Sequence, residues 1–431
     1  MTACTRCNKI ARMKLTTRDE KILNGEFGPA PKMALNILVQ LGEVLGADEM
    51  MDIEQVHVDG CIYESEAHLD FAEKLASLGG RVILPTTLNA TSLDLRHPDA
   101  WGYSAEWKSK AQRMANAYLS MGCTPTWTCA PYQTEHLPKF GQQIAWAESN
   151  AIVYANSVIG ARTNRYGDFT DICAALTARV PKAGLHLTEN RRGQILFELK
   201  NIPAALFDDD AFYPVLGHYI GKATGEKIPV LSGLPQNISS DALKAIGAGA
   251  ASSGAVALFH ALGITPEART MEQAFGGSAY ERVEITLRDL NNARAELSSA
   301  DGAQLDAVVL GSPHFSLPES TQLAEIIAGQ RVHPSVEFIV TTNRIVTEAL
   351  RARNLLQPMQ DAGVRFCEDT CILLSPMLRK EIRVLMTNSA KYAYYTPNLL
   401  ERRVVFGSMR DCVASAVQGR VVREEEMWTR A

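Results

Sequence analysis

Residues 122–132 read Gly-Cys-Thr-Pro-Thr-Trp-Thr-Cys-Ala-Pro-Tyr. They follow a segment, residues 101–119, whose apolar spacing predicts an amphipathic helix. Pro125 and Pro131 fix φ and remove backbone donors, so the stretch is predicted to be a rigid loop and not regular structure. Cys129, near the end of this loop, is placed to present a thiolate.

Upstream of this loop, the chain has the pattern of a βαβ unit. A strand over Val56–Gly60 is followed by a helix over Ala67–Leu78 and a second strand over Arg81–Leu84, and a polar loop follows each strand. Ligands bind beyond the carboxyl ends of such strands. The sequence therefore offers four pocket candidates here: His57, Asp59, Thr87 and Asn89.

Downstream of the loop, residues 141–160 carry one apolar stripe at helical spacing, with Glu148, Ser149, Asn156 and Ser157 interleaved. A polar residue within a buried helix needs a hydrogen-bonding partner. One interpretation is a solvated face. The other, which we favour, is an active-site helix ending in an anion site, because Arg162 and Arg165 follow it and arginine binds carboxylates in a bidentate way.

From about residue 303 the pattern alternates between strand and helix. Each predicted strand ends in a polar loop, which predicts a parallel sheet with an active edge. The predicted strands are Leu305–Leu310, Val336–Val340, Val364–Phe366 and Arg383–Met386. Cys371 follows the third of these strands, and Cys412 begins a final helix, where the helix dipole favours a thiolate.

Length and composition restrict the class of protein. A chain of 431 residues exceeds what one hydrophobic core supports, so we expect a disordered extension at 1–12, an α/β region of two subdomains at 13–300 and a third α/β domain at 301–431. The net charge of −5 argues against nucleic acid or an anionic membrane as partner. No apolar run reaches the length of a membrane span and no signal peptide is evident, so a cytoplasmic location is expected.

The nine cysteines are expected to be thiols or metal ligands, since a chain this long is not a disulfide scaffold. Cys129, Cys371 and Cys412 stand in polar loops or at a helix start, and our hypothesis is that they meet at an iron–sulfur cluster. Three thiolates would leave one coordination position for a substrate, as a Lewis-acid hydro-lyase requires. Cys123 and Cys367 are the competing ligands. Cys4 and Cys7 form an isolated pair that we assign to the disordered extension expected at 1–12.

The glycine-rich run at 247–254 is interpreted as close helix packing, since it lacks the spacing of a dinucleotide-binding loop. Nucleotide-binding GxxxxGK[ST], hydrolase GxSxG and metalloprotease HExxH motifs are absent from the sequence.

Taken together, the polar motifs resemble those of the aconitase X family, a branch of the aconitase superfamily, over about residues 13–420. The motifs are Leu23-Asn-Gly-Glu-Phe-Gly28, Thr86-Thr-Leu-Asn89, Thr128-Cys-Ala-Pro-Tyr132, Ala147-Glu-Ser-Asn-Ala151, Tyr154-Ala-Asn-Ser157, Gly160-Ala-Arg-Thr-Asn164, Glu189-Asn-Arg191, Gly263-Ile-Thr-Pro-Glu267, Asp369-Thr-Cys371 and Asn388-Ser-Ala-Lys391. The resemblance implies an aconitase-like α/β fold, with several parallel-sheet domains around a shared active-site cleft.

The resemblance also implies a metal-dependent dehydratase whose iron–sulfur cluster is held by Cys129, Cys371 and Cys412. The cluster would be 2Fe-2S or 4Fe-4S, with mononuclear iron as an alternative. The chain would be the large subunit, and a separate small subunit would carry the swivelling domain and a serine acting as general base.

Within this resemblance, we assign catalytic roles to His57, Glu148 and Lys391. The substrate-binding candidates are Thr87, Asn89, Ser149, Asn150, Asn156, Arg162, Arg165, Asn388 and Ser389. Arginine or asparagine side chains near 150–165 are expected to clamp a substrate carboxylate.

Two substrates divide the family: bacterial members resemble cis-3-hydroxy-L-proline dehydratases, and archaeal members resemble phosphomevalonate dehydratases. The sequence Val56-His-Val-Asp-Gly-Cys61 departs from the archaeal pattern. This departure favours hydroxyproline as the substrate and a pyrroline-2-carboxylate as the product. Two alternatives of other classes are an iron–sulfur regulator that binds RNA, which the net charge disfavours, and a metal-free binding protein for a carbohydrate or amino acid.

Overall fold

The computed structural model of the protein describes residues 13–429. The expected extension at 1–12, with Cys4 and Cys7, lies outside the described residues. Three regions follow one another along the described chain, and each is built on a parallel sheet.

The first region joins a three-stranded parallel sheet to a short antiparallel pair of strands. Its elements are α1 (Thr17–Asn24), α2 (Pro29–Val44), β1 (Met50–Asp52), β2 (Val56–Val58), α3 (Glu66–Ser77), β3 (Thr86–Leu88), α4 (Ala105–Ser120), β4 (Ala145–Trp146), α5 (Ser149–Tyr154), α6 (Thr170–Thr177) and β5 (Arg179–Pro181). The parallel sheet has the order β3-β2-β4, and β1 pairs with β5.

The second region holds a four-stranded parallel sheet of order β8-β7-β6-β9. Its elements are β6 (Ile195–Leu199), α7 (Phe212–Thr224), β7 (Pro229–Ser232), α8 (Ser240–Ser253), β8 (His260–Ala261), α9 (Met271–Phe275), β9 (Glu281–Ile285) and α10 (Leu287–Glu296). Helices α7 and α8 pack backbone against backbone: a Cβ at Gly249, within the glycine-rich run, would lie 2.8 Å from the Pro214 carbonyl oxygen. The glycine-rich run is therefore a helix-packing surface, as the sequence predicted.

The third region holds a five-stranded parallel sheet of order β12-β11-β10-β13-β14. Its elements are β10 (Ala307–Leu310), α11 (Leu317–Ile327), β11 (Glu337–Thr342), α12 (Arg344–Ala352), α13 (Leu356–Asp361), β12 (Val364–Glu368), β13 (Val384–Thr387), α14 (Ala390–Tyr395), β14 (Arg403–Phe406), α15 (Met409–Gln418) and α16 (Glu426–Thr429).

Local signals explain where several of these helices begin. Ser316 accepts from the Glu319 amide and Glu319 bonds back to the Ser316 amide, a reciprocal cap that starts α11. Ser408 and Asp411 start α15 in the same way. The caps satisfy amides that have no partner within the helix, so these short polar motifs determine where the chain leaves the sheet.

The predicted fold class, parallel α/β sheets, is confirmed, but some element boundaries were wrong. The strand expected at 81–84 lies at Thr86–Leu88, where it pairs with β2. The helix expected over 141–160 is a strand, β4, followed by α5 and a π-helical turn at Ala155–Ile159. Near the C-terminus, the Trp428 side chain is buried and its Nε1 donates to Asp209 at 2.9 Å.

One hydrophobic core passes through all three regions and includes Val58, Phe197 and Leu385. A second core fills the space around the third sheet and includes Phe338 and Cys412. Shared burial of this kind fixes the three regions against one another, and the carboxyl ends of the first and third sheets meet. Within residues 13–429, none of the helices is both long and apolar enough to cross a membrane.

Candidate active site

The candidate site lies where the first and third sheets present the carboxyl ends of their strands to each other. Glu148 follows β4, whereas Cys371 follows β12 and Lys391 follows β13. The backbone of Thr91 pairs with that of Thr370 in an isolated parallel bridge, and the Cys371 amide donates to the Thr91 carbonyl at 2.8 Å. The two strand-end edges therefore form one site, as the position of ligand sites in parallel sheets predicts.

An ion pair between Lys391 and Glu148 links the two edges. Glu148 caps α5, accepting from the Ala151 amide at 2.9 Å, and Lys391 lies in the first turn of α14. The Lys391 ammonium is also 3.4 Å from the Ser149 hydroxyl. Burial disfavours the charged ammonium, but attraction to Glu148 and Cys129 raises the pKa of Lys391 above its ordinary value. Lys391 is thus a fixed cation in the site.

Two of the three predicted cysteine ligands flank this lysine. Burial raises the pKa of the Cys129 thiol to about 12, with Glu148 adding to the rise and Lys391 opposing it. Burial also raises the pKa of Cys371, again against the influence of Lys391. The His314 amide donates to Cys129 Sγ at 3.2 Å. In the absence of a metal both thiols are therefore neutral, and a metal would have to displace their protons.

His314 joins the two cysteine loops and was not among the predicted site residues. Its ring contacts the Thr128 hydroxyl through Nδ1 at 3.3 Å and the Thr370 carbonyl through Nε2 at 3.0 Å. Burial lowers the pKa of His314 to about 4, so the ring is neutral and acts as a hydrogen-bonding brace. His314 could have been predicted as a site residue, because it is a polar residue just after a predicted strand, the same pattern that singled out His57 and Asn89.

Both cysteine loops contain a buried residue other than glycine in the left-handed region. Trp127 has φ 45° and Asp369 has φ 61°, each two residues before the cysteine of its loop. Such backbone conformations are uncommon outside glycine and concentrate at functional sites. Arg344 holds the Asp369 carboxylate through Nε, at 3.2 and 3.1 Å, which stabilises the second loop.

Cys412 is placed elsewhere, in the core around the third sheet. It lies on α15, is fully buried with Val308 and Met386 in the same core cluster, and burial raises the pKa of its thiol well above the ordinary value. The helix dipole was expected to favour a thiolate at Cys412, but this face of α15 packs on the sheet and burial opposes the charged form. Within residues 13–429, no group of three or more His, Cys, Asp or Glu side chains is arranged to hold a metal. The described residues thus bring together two of the three thiols.

The residues at the ends of β2 and β3 form a hydrogen-bonded layer behind the ion pair. His57 Nδ1 lies 2.8 Å from the Thr87 hydroxyl, and Asn89 donates to the Asp59 carboxyl. Burial lowers the pKa of His57 to about 3, so its ring is neutral. Burial and the neighbouring Asp168 and Glu148 raise the pKa of Asp59, and Lys391 opposes that rise. The charges of Glu148 and Lys391 therefore both act on the Asp59 carboxyl.

The remaining predicted binding residues serve different purposes. Asn150 Nδ2 donates to the Cys129 carbonyl at 2.9 Å, so it supports the cysteine loop. Asn156 is fully buried and bonded to Thr163 and Arg191. These hydrogen bonds use both the Nδ2 donor and the Oδ1 acceptor of the Asn156 amide, so its role is structural.

The two arginines expected to clamp a carboxylate lie apart from the ion pair. Arg162 donates to the His186 carbonyl at 3.3 Å and the Thr188 hydroxyl at 2.7 Å. Arg165 is exposed. The structure therefore differs from the expected anion site at the end of this helix, because neither guanidinium is among the groups that line the cavity described next.

A cavity of about 430 Å³ opens beside Lys391, between the second and third regions. This volume lies within the ordinary range for small-molecule sites. Asn388 and Ser389, both predicted to bind substrate, line it with Lys391. Asn388 Nδ2 donates to Asp210 at 3.1 Å, and the Ser389 hydroxyl donates to the Ser312 carbonyl. Asp210 comes from the loop before α7, and nothing in the local sequence marked it as part of a site.

Comparison with known proteins agrees with this architecture. Three aconitase X family models match the chain: the first domain over residues 12–189, the second over 193–295 and the third over 305–418. A cis-3-hydroxy-L-proline dehydratase from Pseudomonas aeruginosa is 44% identical over 411 residues, which cover 94% of this chain and 70% of that protein. The large subunit of phosphomevalonate dehydratase from Methanothermobacter thermautotrophicus is 35% identical, over 90% of this chain and 95% of that protein.

Among solved structures, aconitase X from Thermococcus kodakaraensis in its holo form superposes with a TM-score of 0.85 at 32% identity, covering 94% of this chain and all of that one. The fold and its strand-end site define a hydro-lyase of the aconitase-like superfamily. The chain belongs to the aconitase X family, and the resemblance drawn from its motifs is confirmed.

Proposed function

We propose that this chain catalyses the elimination of water from cis-3-hydroxy-L-proline to give a pyrroline-2-carboxylate. The observation that carries the proposal is the Lys391–Glu148 pair, which lies beside a small-molecule cavity and between two cysteine loops. The identity of 44% to a protein named for this activity supports the choice of substrate.

Within the site, Lys391 provides a cation for the substrate carboxylate, while Asn388 and Ser389 line the same cavity. This assignment replaces the clamp expected from Arg162 and Arg165. Glu148 keeps the lysine charged in a buried setting and holds it in place. Neutral His57 and Asn89 orient the layer behind the pair.

Aconitase-like dehydratases generally use iron–sulfur clusters. Cys129 and Cys371 suit such a centre in chemistry and placement, because they flank one cation and their loops are joined through His314. When bound, a metal centre would supply Lewis-acid polarisation of the departing hydroxyl. The three-thiolate set with Cys412 is not assembled among residues 13–429, so we assign the centre to Cys129 and Cys371 and leave its nuclearity open.

We further propose that a small subunit or additional domain completes the site and carries the base that removes the α-proton. The archaeal relative is named a large subunit, and this chain covers 95% of its length. A second candidate function is phosphomevalonate dehydration, because the large subunit of that enzyme from Methanothermobacter thermautotrophicus is 35% identical over 90% of this chain.

The test is to purify the chain anaerobically with its completing partner and to measure both iron content and substrate loss. We expect cis-3-hydroxy-L-proline to be consumed, and Cys371→Ala to lose iron and dehydration together. Consumption of phosphomevalonate in place of hydroxyproline would select the second candidate. Full iron and full dehydration in Cys371→Ala would remove the metal centre from the mechanism, and colourless, iron-free wild-type protein would do the same.

A further inference from the structure

We propose that Asp210 is a specificity-determining residue that binds the ring ammonium of a cyclic secondary amino acid in the cavity beside Lys391. This inference rests on the proposed function and deepens it, since it names the part of the substrate that the cavity recognises. It also separates the two candidate substrates by charge.

Asp210 is held in the cavity wall by neutral donors. Its carboxylate accepts from Asn388 Nδ2 at 3.1 Å and from the Met409 amide at 3.1 and 3.0 Å. Within residues 13–429, no lysine, arginine or histidine forms an ion pair with it. Burial raises its pKa to about 7. The carboxylate is therefore fixed in direction and lacks a compensating charge, a state that a bound ammonium would relieve.

Each of the two cations that line the cavity pairs with carboxylates of the protein, so neither adds net positive charge to the wall. Lys244 pairs with Asp241 at 3.0 Å and with Glu319, and Lys391 pairs with Glu148. Because Asp208 and Asp210 also line the wall, negative groups outnumber positive ones. A phosphorylated acid entering the cavity would meet this excess negative charge, whereas an ammonium would be attracted.

The carboxylate and the lysine are connected through one short segment. Asn388, which donates to Asp210, lies three residues before Lys391, and all three side chains line the same cavity. A zwitterionic α-amino acid carries its carboxylate and its ammonium on the same α-carbon. The site offers a cation and an anion along one wall, so the two ends of such a ligand find opposite charges.

The experiment compares two inert ligands of the same shape by isothermal titration calorimetry on the holoenzyme with its completing partner. L-Proline carries the ring nitrogen, and cyclopentanecarboxylate has the same ring and carboxylate without it. We expect the wild type to prefer L-proline by about tenfold or more, the usual worth of a charged hydrogen bond. Asp210→Asn should lose this preference, while Asp208→Asn, at an exposed position of the same wall, should keep it.

Turnover gives a second readout. With cis-3-hydroxy-L-proline, Asp210→Asn should raise KM by about tenfold with a smaller change in kcat, and Asp210→Glu should recover part of the loss. Circular dichroism and thermal melting of each variant identify any that fail to fold, and the Asp210→Glu variant then carries the test.

Three outcomes would overturn the inference. They are an unchanged preference in Asp210→Asn, equal loss in Asp208→Asn, and tighter wild-type binding of a phosphorylated carboxylic acid than of L-proline. Its failure is distinguishable from failure of the proposed function. If hydroxyproline turnover is unchanged in Asp210→Asn, only the ammonium site is refuted. If proline binding depends on Asp210 but no turnover is seen, only the dehydratase assignment is refuted.

Discussion

Replacing Lys391 by methionine tests the ion pair that joins the first and third regions. The substitution keeps the length of the side chain and removes its charge, which leaves Glu148 buried without a cation. The side chains of Lys391 and Glu148 are 13% and 5% exposed, so solvent can do little to replace the lost partner. Breaking a buried pair from one side costs about 3–5 kcal/mol. Because Glu148 keeps the Ala151 amide at 2.9 Å, we expect about 3 kcal/mol.

Hydrogen exchange followed by mass spectrometry measures this cost locally, since a chain of several regions does not unfold in one step. A loss of about 3 kcal/mol corresponds to roughly a hundredfold faster exchange in α5 and α14. The matched control is Lys222→Met, whose pair with Glu296 is exposed at 50% and 48%. Such a pair contributes about 0–1 kcal/mol. Equal exchange rates in the wild type and Lys391→Met at both helices would show that the pair does not hold the regions together.

Three further predictions concern single side chains. Cys412→Ala should retain iron while losing about 1–2 kcal/mol of stability through a small cavity in the third-region core, whereas Cys129→Ala should lose iron, and metal analysis of both proteins checks this. Burial raises the pKa of Asp171 to about 7, with Asp168 adding to the rise. Since the folded pKa exceeds the unfolded one, wild-type stability falls as pH rises from about 4 to about 7, by roughly 4 kcal/mol at most. Thermal melts should show that Asp171→Asn lacks this part of the slope, and an identical slope would contradict the assignment. Finally, Arg165→Gln should leave KM within about twofold, because the side chain is exposed and lies outside the cavity wall, and a tenfold rise would restore it as a ligand for the substrate carboxylate.

The strands of the third region were predictable because they are continuous apolar runs. Ala307–Leu310 and Val384–Thr387 are buried along their whole length, as strands of a parallel sheet covered on both faces must be. The strand at Thr86–Leu88 was predicted a few residues too early. The apolar residues at 81–84 fit the pattern of a buried strand better than a segment with two threonines does. Pairing with Val56–Val58 selected the polar segment, and that choice is made by the sheet and not by the segment.

In the candidate site, too, some features were predictable from the sequence and others were not. The sequence by itself determined that Cys129, Cys371 and Lys391 follow strands or rigid loops, because the carboxyl ends of parallel strands gather at one edge whatever the neighbouring domain is. Only the tertiary structure decided that Cys412 points into a core, that Arg162 bonds to the backbone of His186, and that Asp210 reaches Asn388 from another region. These outcomes depend on how helices pack on the sheets and on contacts between residues 24 positions apart, for Arg162 and His186, and 178 positions apart, for Asp210 and Asn388. Local propensity and spacing do not determine such contacts.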